Sequence, residues 1–148
     1  IDACGKTGNG DIGATLCLRS SHDIDRAWEI ARQFRLRVID AVKSARPYEG
    51  VAGMFEVKDG GVPSDVADIL SRDIPAAGPV LVFAKSGDTC RISARNPAGN
   101  HADLGQTVRD LAVSCGGNGG GHILRAGATI PCDKIADFAK GWQEALAA

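Results

Sequence analysis

Aromatic side chains are scarce. They make up 5% of the 148 residues, so the core has to come mainly from Ile, Leu, Val and Ala. No charge of one sign dominates. The formal net charge is −1, and the basic balance by which many nucleic-acid binders show themselves is missing. Anion binding therefore has to arise from local placement. No apolar run nears the roughly 18 residues that a membrane-spanning helix needs. No secretory leader is legible, which points to a cytoplasmic protein with no membrane partner. The chain opens on Ile1 rather than Met and reads as a piece cut from something longer. Cys4, Cys17, Cys90, Cys115 and Cys132 are odd in number and widely spaced, with no C-x-x-C. That arithmetic argues against a disulfide framework and against a zinc site, and for reduced thiols. The Asp/His clusters of two-metal phosphate chemistry are not evident, and no nucleophile–base pair follows from spacing. His22-Asp23 with Asp25 falls at a helix start, where acidic residues are ordinary caps.

What is present is enough for one ordinary domain. Hydrophobic residues are 44% and charged residues 24%, a balance that supports a packed core. Residues 1–19 read as a glycine-rich loop leading into a short helix or strand. Ser20 and Asp23 have capping-box spacing. Ile24, Trp28, Ala31, Phe34, Val38 and Val42 then recur at helical spacing, so a long amphipathic helix is expected up to Arg46-Pro47. Val51–Val57 reads as a strand with Val51, Phe55 and Val57 on one face. Asp59-Gly60-Gly61 is a turn and Pro63-Ser64 opens a short helix. The apolar run from Pro79 to Ala84 is a central strand, and Thr89–Arg95 alternates strictly. Asp103 and Gln106 start a further helix. Leu124–Ile130 is a strand, and Pro131-Cys132-Asp133 opens a last helix with Ile135, Phe138, Trp142 and Leu146 on one stripe. The expected class is mixed α/β: a sheet of about four to five strands with helices packed on it, preceded by a long connecting helix. Residues 1–47 form the connector and 48–148 the compact domain.

Three glycine features stand out among 19 glycines. Gly5-Lys6-Thr7 spells the end of a nucleotide-binding phosphate loop, but Gly8, Asn9 and Gly10 follow where that motif needs a helix. Gly8, Gly10 and Gly13 have dinucleotide-fingerprint spacing, which alone is weak. Gly116–Gly121 is different, because five glycines in six residues exceed what a turn needs. A run of this kind lets backbone N–H groups come close to an anion, and His122 ends it with a side chain that can donate to phosphate. Arg91, Ser93 and Arg95 share one face of their strand. Two guanidinium forks there suit phosphate gripping, although the pattern also fits a solvent-facing edge.

Taken in order, Arg91-Ile92-Ser93-Ala94-Arg95, then Asp103-Leu104-Gly105, then Gly116–His122 with Ala126-Gly127-Ala128-Thr129-Ile130 resembles the DHHA1 domain. That domain is the C-terminal partner of the DHH catalytic domain. The run from Gly119 to Pro131 is most similar to the archaeal RecJ-like branch, and Cys4 through Leu18 is similar to the segment leaving the DHH domain there. The resemblance implies a phosphodiester hydrolase that uses manganese held by aspartates and histidines of the N-terminal domain. It also implies a DHHA1 surface that touches nucleic-acid backbone or a terminal phosphate. Carried over, that surface is Arg91, Ser93, Arg95, Gly119, Gly120, Gly121 and His122. Arg125 stands where the family has a small residue, and would crowd the site, add a phosphate contact or face solvent. Implied partners are single-stranded DNA or RNA, a short oligonucleotide, the DHH domain of the same protein, and replication proteins. The catalytic residues and manganese ligands would lie outside these residues, so the fragment alone is expected not to hydrolyse. Two alternatives stay open. One is a protein-interaction module built on the long helix 22–45. The other is part of a phosphodiesterase for cyclic dinucleotides or very short oligonucleotides.

Overall fold

The computed structural model describes residues 1–73, 78–97, 99 and 102–147. It divides into two compact units, Ile1–Asp40 and Ala41–Ala148.

The first unit is helical. Helices α1 (Asp2–Lys6) and α2 (Gly10–Cys17) precede α3 (Ile24–Ser44). Residues 1–19, expected as a loop and one short element, are thus two helices. Gly8 turns between them with φ +77°, a backbone region that costs glycine little. Cys4, Ile12 and Ala27 make a small core with Leu16 and Ile30 against it. The expected capping box does not form. Ser20 Oγ accepts from the His22 amide at 3.4 Å, and the Asp23 carboxylate instead accepts from the Thr15 hydroxyl at 3.2 Å.

The second unit is a mixed α/β domain. Its strands are β1 (Arg46–Pro47), β2 (Met54–Val57), β3 (Val80–Ser86), β4 (Thr89–Arg95), β5 (Asn118–His122) and β6 (Arg125–Pro131). They form one six-stranded sheet in the order β1-β2-β3-β4-β6-β5. Only β2 and β3 run parallel. The helices are α4 (Pro63–Asp73), α5 (Leu104–Ser114) and α6 (Ile135–Ala147). Helix α4 lies on β3 and β4, and α5 lies on β5 and β6. Cys90, Ile92 and Ala94 of β4 point into the main core. They meet Leu104, Val108 and Ala112 of α5 and Phe138 and Trp142 of α6 there. Arg95, on the opposite face, bonds to α4, so the sheet is covered on both sides.

Two expectations are corrected here. Val51 is not in a strand with Phe55 and Val57. It sits in a turn that Gly53 completes at φ +73°, and it packs into the main core with Met54. The glycine run is not a loop: Asn118–His122 is strand β5 at the sheet edge, paired antiparallel with β6. Crowding explains Gly119 and Gly121, and a φ of +153° explains Gly120. A Cβ on Gly119 would stand 2.9 Å from the Ala112 and Ala128 Cβ atoms, and one on Gly105 of α5 would stand 2.6 Å from the Gly121 carbonyl oxygen. Backbone approaches backbone here, and no side chain fits between α5 and β5.

Candidate functional site

Strand β4 separates its three polar residues by depth. Arg91 is exposed, Ser93 half-buried and Arg95 buried. On this face, the start of α4 and strands β4 and β6 enclose a polar cleft of about 310 Å³. Arg91, Ser93, Gly127 and Thr129 form its floor. Gly61, Pro63 and Ser64 form one wall, and Asn118 of β5 the far side.

Local sequence explains this wall. Asp59 Oδ1 accepts from the Gly61 amide at 2.8 Å, an Asx turn that reverses the chain ahead of the helix. Pro63 opens α4, where a missing N–H costs nothing. The start of α4, with the positive end of its helix dipole, borders the cleft. Arg91 Nη1 donates to the Gly60 carbonyl at 3.1 Å, which ties the exposed guanidinium to the same turn. The cleft thus combines a cation, a hydroxyl and a helix start, a set suited to an oxyanion.

Arg95 has another place. Its Nε donates to Asp68 Oδ1 at 2.6 Å, Nη2 to Ser64 Oγ at 2.8 Å and Nη1 to the Ala94 carbonyl at 2.9 Å. These bonds turn its fork into the protein, because α4 covers that end of β4. Arg95 positions Ser64 at the cleft wall rather than reaching into the cleft. Arg125, its register partner on β6, stays largely exposed and approaches the same Asp68 oxygen at 3.1 Å. One carboxylate therefore faces two guanidiniums.

The glycines expected to grip a ligand lie beside the cleft. Gly119, Gly120, Gly121 and His122 are not among its lining residues, whereas Asn118 is. His122 is exposed at the end of β5, opposite Arg125. The β5–β6 turn is fixed by Asn96, whose amide nitrogen donates to the Ile123 carbonyl at 2.8 Å and whose backbone N–H donates to the Leu124 carbonyl at 3.1 Å. Sequence reasoning missed Ser64, Asn118, Thr129 and Asp68. It also missed Arg109 of α5, whose guanidinium lies 3.4 Å from where a Cβ on Gly120 would stand. The signal for Ser64 was there, since Asp59-Gly60-Gly61 and Pro63-Ser64 were legible as turn and helix start but carried no hint of which strand they faced.

Among the described residues, no group of three or more His, Cys, Asp or Glu side chains converges as a metal site requires. The donor set does not fit manganese, and no hydrolytic step can be derived from it. No helix among the described residues is long and apolar enough to cross a membrane.

Comparison with known proteins adds to this geometry. The family model of the DHHA1 domain matches residues 49–148. An uncharacterized protein of Methanocaldococcus jannaschii is 29% identical over 160 residues, covering 99% of this chain and 33% of that protein. The chain therefore spans about a third of the length of the curated relative it matches. RecJ of Thermus thermophilus, solved in complex with Mg2+, superposes with a TM-score of 0.64 at 21% identity, over 100% of this chain and 24% of that one. The C-Ala domain of Aquifex aeolicus alanyl-tRNA synthetase gives 0.58 at 20% identity, over 70% of this chain and 100% of that one. At these identities the two solved structures share the fold.

Proposed function

Because the chain belongs to the DHHA1 domain family, we propose that it is the phosphate-gripping part of a DHH-type phosphoesterase related to RecJ. On this reading it binds the backbone of single-stranded DNA or RNA, and a catalytic domain elsewhere in a longer protein holds manganese and cleaves. The observation that carries the reading is the cleft in which Arg91 and Ser93 face the start of α4. Its residues supply binding and orientation: the Arg91 fork and the Ser93 hydroxyl donate to phosphate oxygens, and the positive end of the α4 dipole faces the same charge. A volume of about 310 Å³ is at the small end for ligand sites. That favours a strand end or a short oligonucleotide over a long embedded stretch.

The test uses this chain and a fluorescent single-stranded oligonucleotide bearing a terminal phosphate. Binding measured by polarisation is expected to weaken as salt rises, because phosphate contact releases counterions. Arg91→Ala is expected to weaken it about tenfold, as loss of one charge-assisted contact should. Binding indifferent both to salt and to Arg91→Ala overturns the assignment.

A further inference from the structure

Two sulfurs separated by 42 positions in sequence meet at one corner of the sheet. Cys90 stands near the start of β4, and Cys132 follows the last residue of β6. Their Sγ atoms are 2.8 Å apart, well inside an ordinary contact of unbonded sulfurs and within about 1 Å of a disulfide bond. The backbone brings them together independently of the sulfurs. Strands β4 and β6 pair in register from Thr89↔Pro131 onward, and the Cys132 amide donates to the Asp88 carbonyl at 2.9 Å. Cys90 is wholly buried, whereas Cys132 is half-buried at the rim of the core. Lys85, the register partner of Cys90, places an ammonium near both sulfurs.

We propose that Cys90 and Cys132 form a reversible intrachain disulfide, made by exchange with a low-molecular-weight disulfide, that staples β4 to the end of β6. The half-buried Cys132 is the sulfur an external disulfide RSSR reaches. Its thiolate attacks one sulfur, forms the mixed disulfide Cys132–S–S–R and expels RS⁻. Burial, with Cys132 beside it, pushes the Cys90 thiol up to about 12, so Cys90 acts second. It attacks the Cys132 sulfur as its proton leaves, and the second RS⁻ departs. Two cysteine thiols are oxidised by two electrons, and RSSR is reduced to two RSH. Reduction by an external dithiol reverses the steps. The bond would tie together the two strands that carry Arg91 and Thr129. The inference rests on the sulfur positions alone and holds whether or not the phosphate reading does.

The experiment is to incubate the chain with oxidised glutathione, alkylate what remains free, and map the peptides. The expected result is a peptide pair joined through Cys90 and Cys132, its mass two hydrogens below the sum of the two thiol peptides, and a midpoint of thermal unfolding raised on the order of 5 °C. All three should disappear on adding dithiothreitol and be absent in Cys132→Ser, which replaces the half-buried partner and keeps the buried one. Alkylation of both Cys90 and Cys132 after oxidation overturns the proposal, whatever happens at the exposed Cys17. So does a midpoint that rises equally in Cys132→Ser.

Discussion

Arg91 and Arg95 are four residues apart on one strand face and do different work. Arg91 is exposed and makes one bond to a turn carbonyl. Its replacement by Ala should change stability by no more than about 0.5 kcal/mol while weakening phosphate binding. Arg95 is buried and bridges β4 to α4 through Asp68 and Ser64. Arg95→Ala should destabilise by about 2–4 kcal/mol, since breaking a buried pair strands its partner, and Arg125 still offsets part of the Asp68 charge. Urea denaturation of the two variants checks the contrast; equal loss of stability in both would refute it. The strict alternation of Thr89–Arg95 made the shared face legible in sequence. The depth of each residue was not legible, because that depends on where α4 comes to rest, and α4 is contributed by a segment about 30 residues earlier.

Strand β5 is the element that sequence reading described least well. A strand shows itself by alternation between its faces, and glycines have no side chains to alternate. The cluster therefore looked like a loop whose backbone would come close to an anion. What approaches is α5. Gly105→Ala would set a Cβ 2.6 Å from the Gly121 carbonyl oxygen. This should cost about 2 kcal/mol or more, because neither backbone can give way cheaply. Gly5→Ala, in α1 with nothing within 4 Å, should instead stabilise by about 0.5–1 kcal/mol through helix propensity. Chemical denaturation of both variants tests the pair, and a harmless Gly105→Ala would mean that α5 does not sit on β5 as described. The longer elements α3 to α6, β3, β4 and β6 were legible because apolar residues repeat along them. Helices α1 and α2 were hidden by glycines that mark their ends, and β1 is too short to carry a pattern.

For the whole molecule, a net charge of −1 leaves no broad electrostatic field, so affinity depends on the few groups that the fold assembles. Those groups come from three distant stretches: the turn and helix start at 61–64, strand β4 at 91–93, and the β5–β6 hairpin from 118 to 129. No one of these stretches holds the cleft by itself. The class of fold was legible from the order of elements, while the cleft was not, since it exists only where β6 passes beside β4 and ahead of β5 in the sheet order. This has a thermodynamic consequence. A pocket that vanishes when any of its three contributors unfolds binds the native state alone, so occupancy and folding are linked. An oligonucleotide present at 100 times its dissociation constant should add about 2.7 kcal/mol to the free energy of unfolding. A calorimetric scan would show this as a ligand-dependent rise in melting temperature, roughly halved in Arg91→Ala at the same ligand concentration, where tenfold weaker binding leaves about 1.4 kcal/mol. The assembly of the cleft from scattered segments thus couples the fold to any ligand the cleft holds: a vacant domain is easier to open, and an engaged one resists heat, denaturant and protease alike.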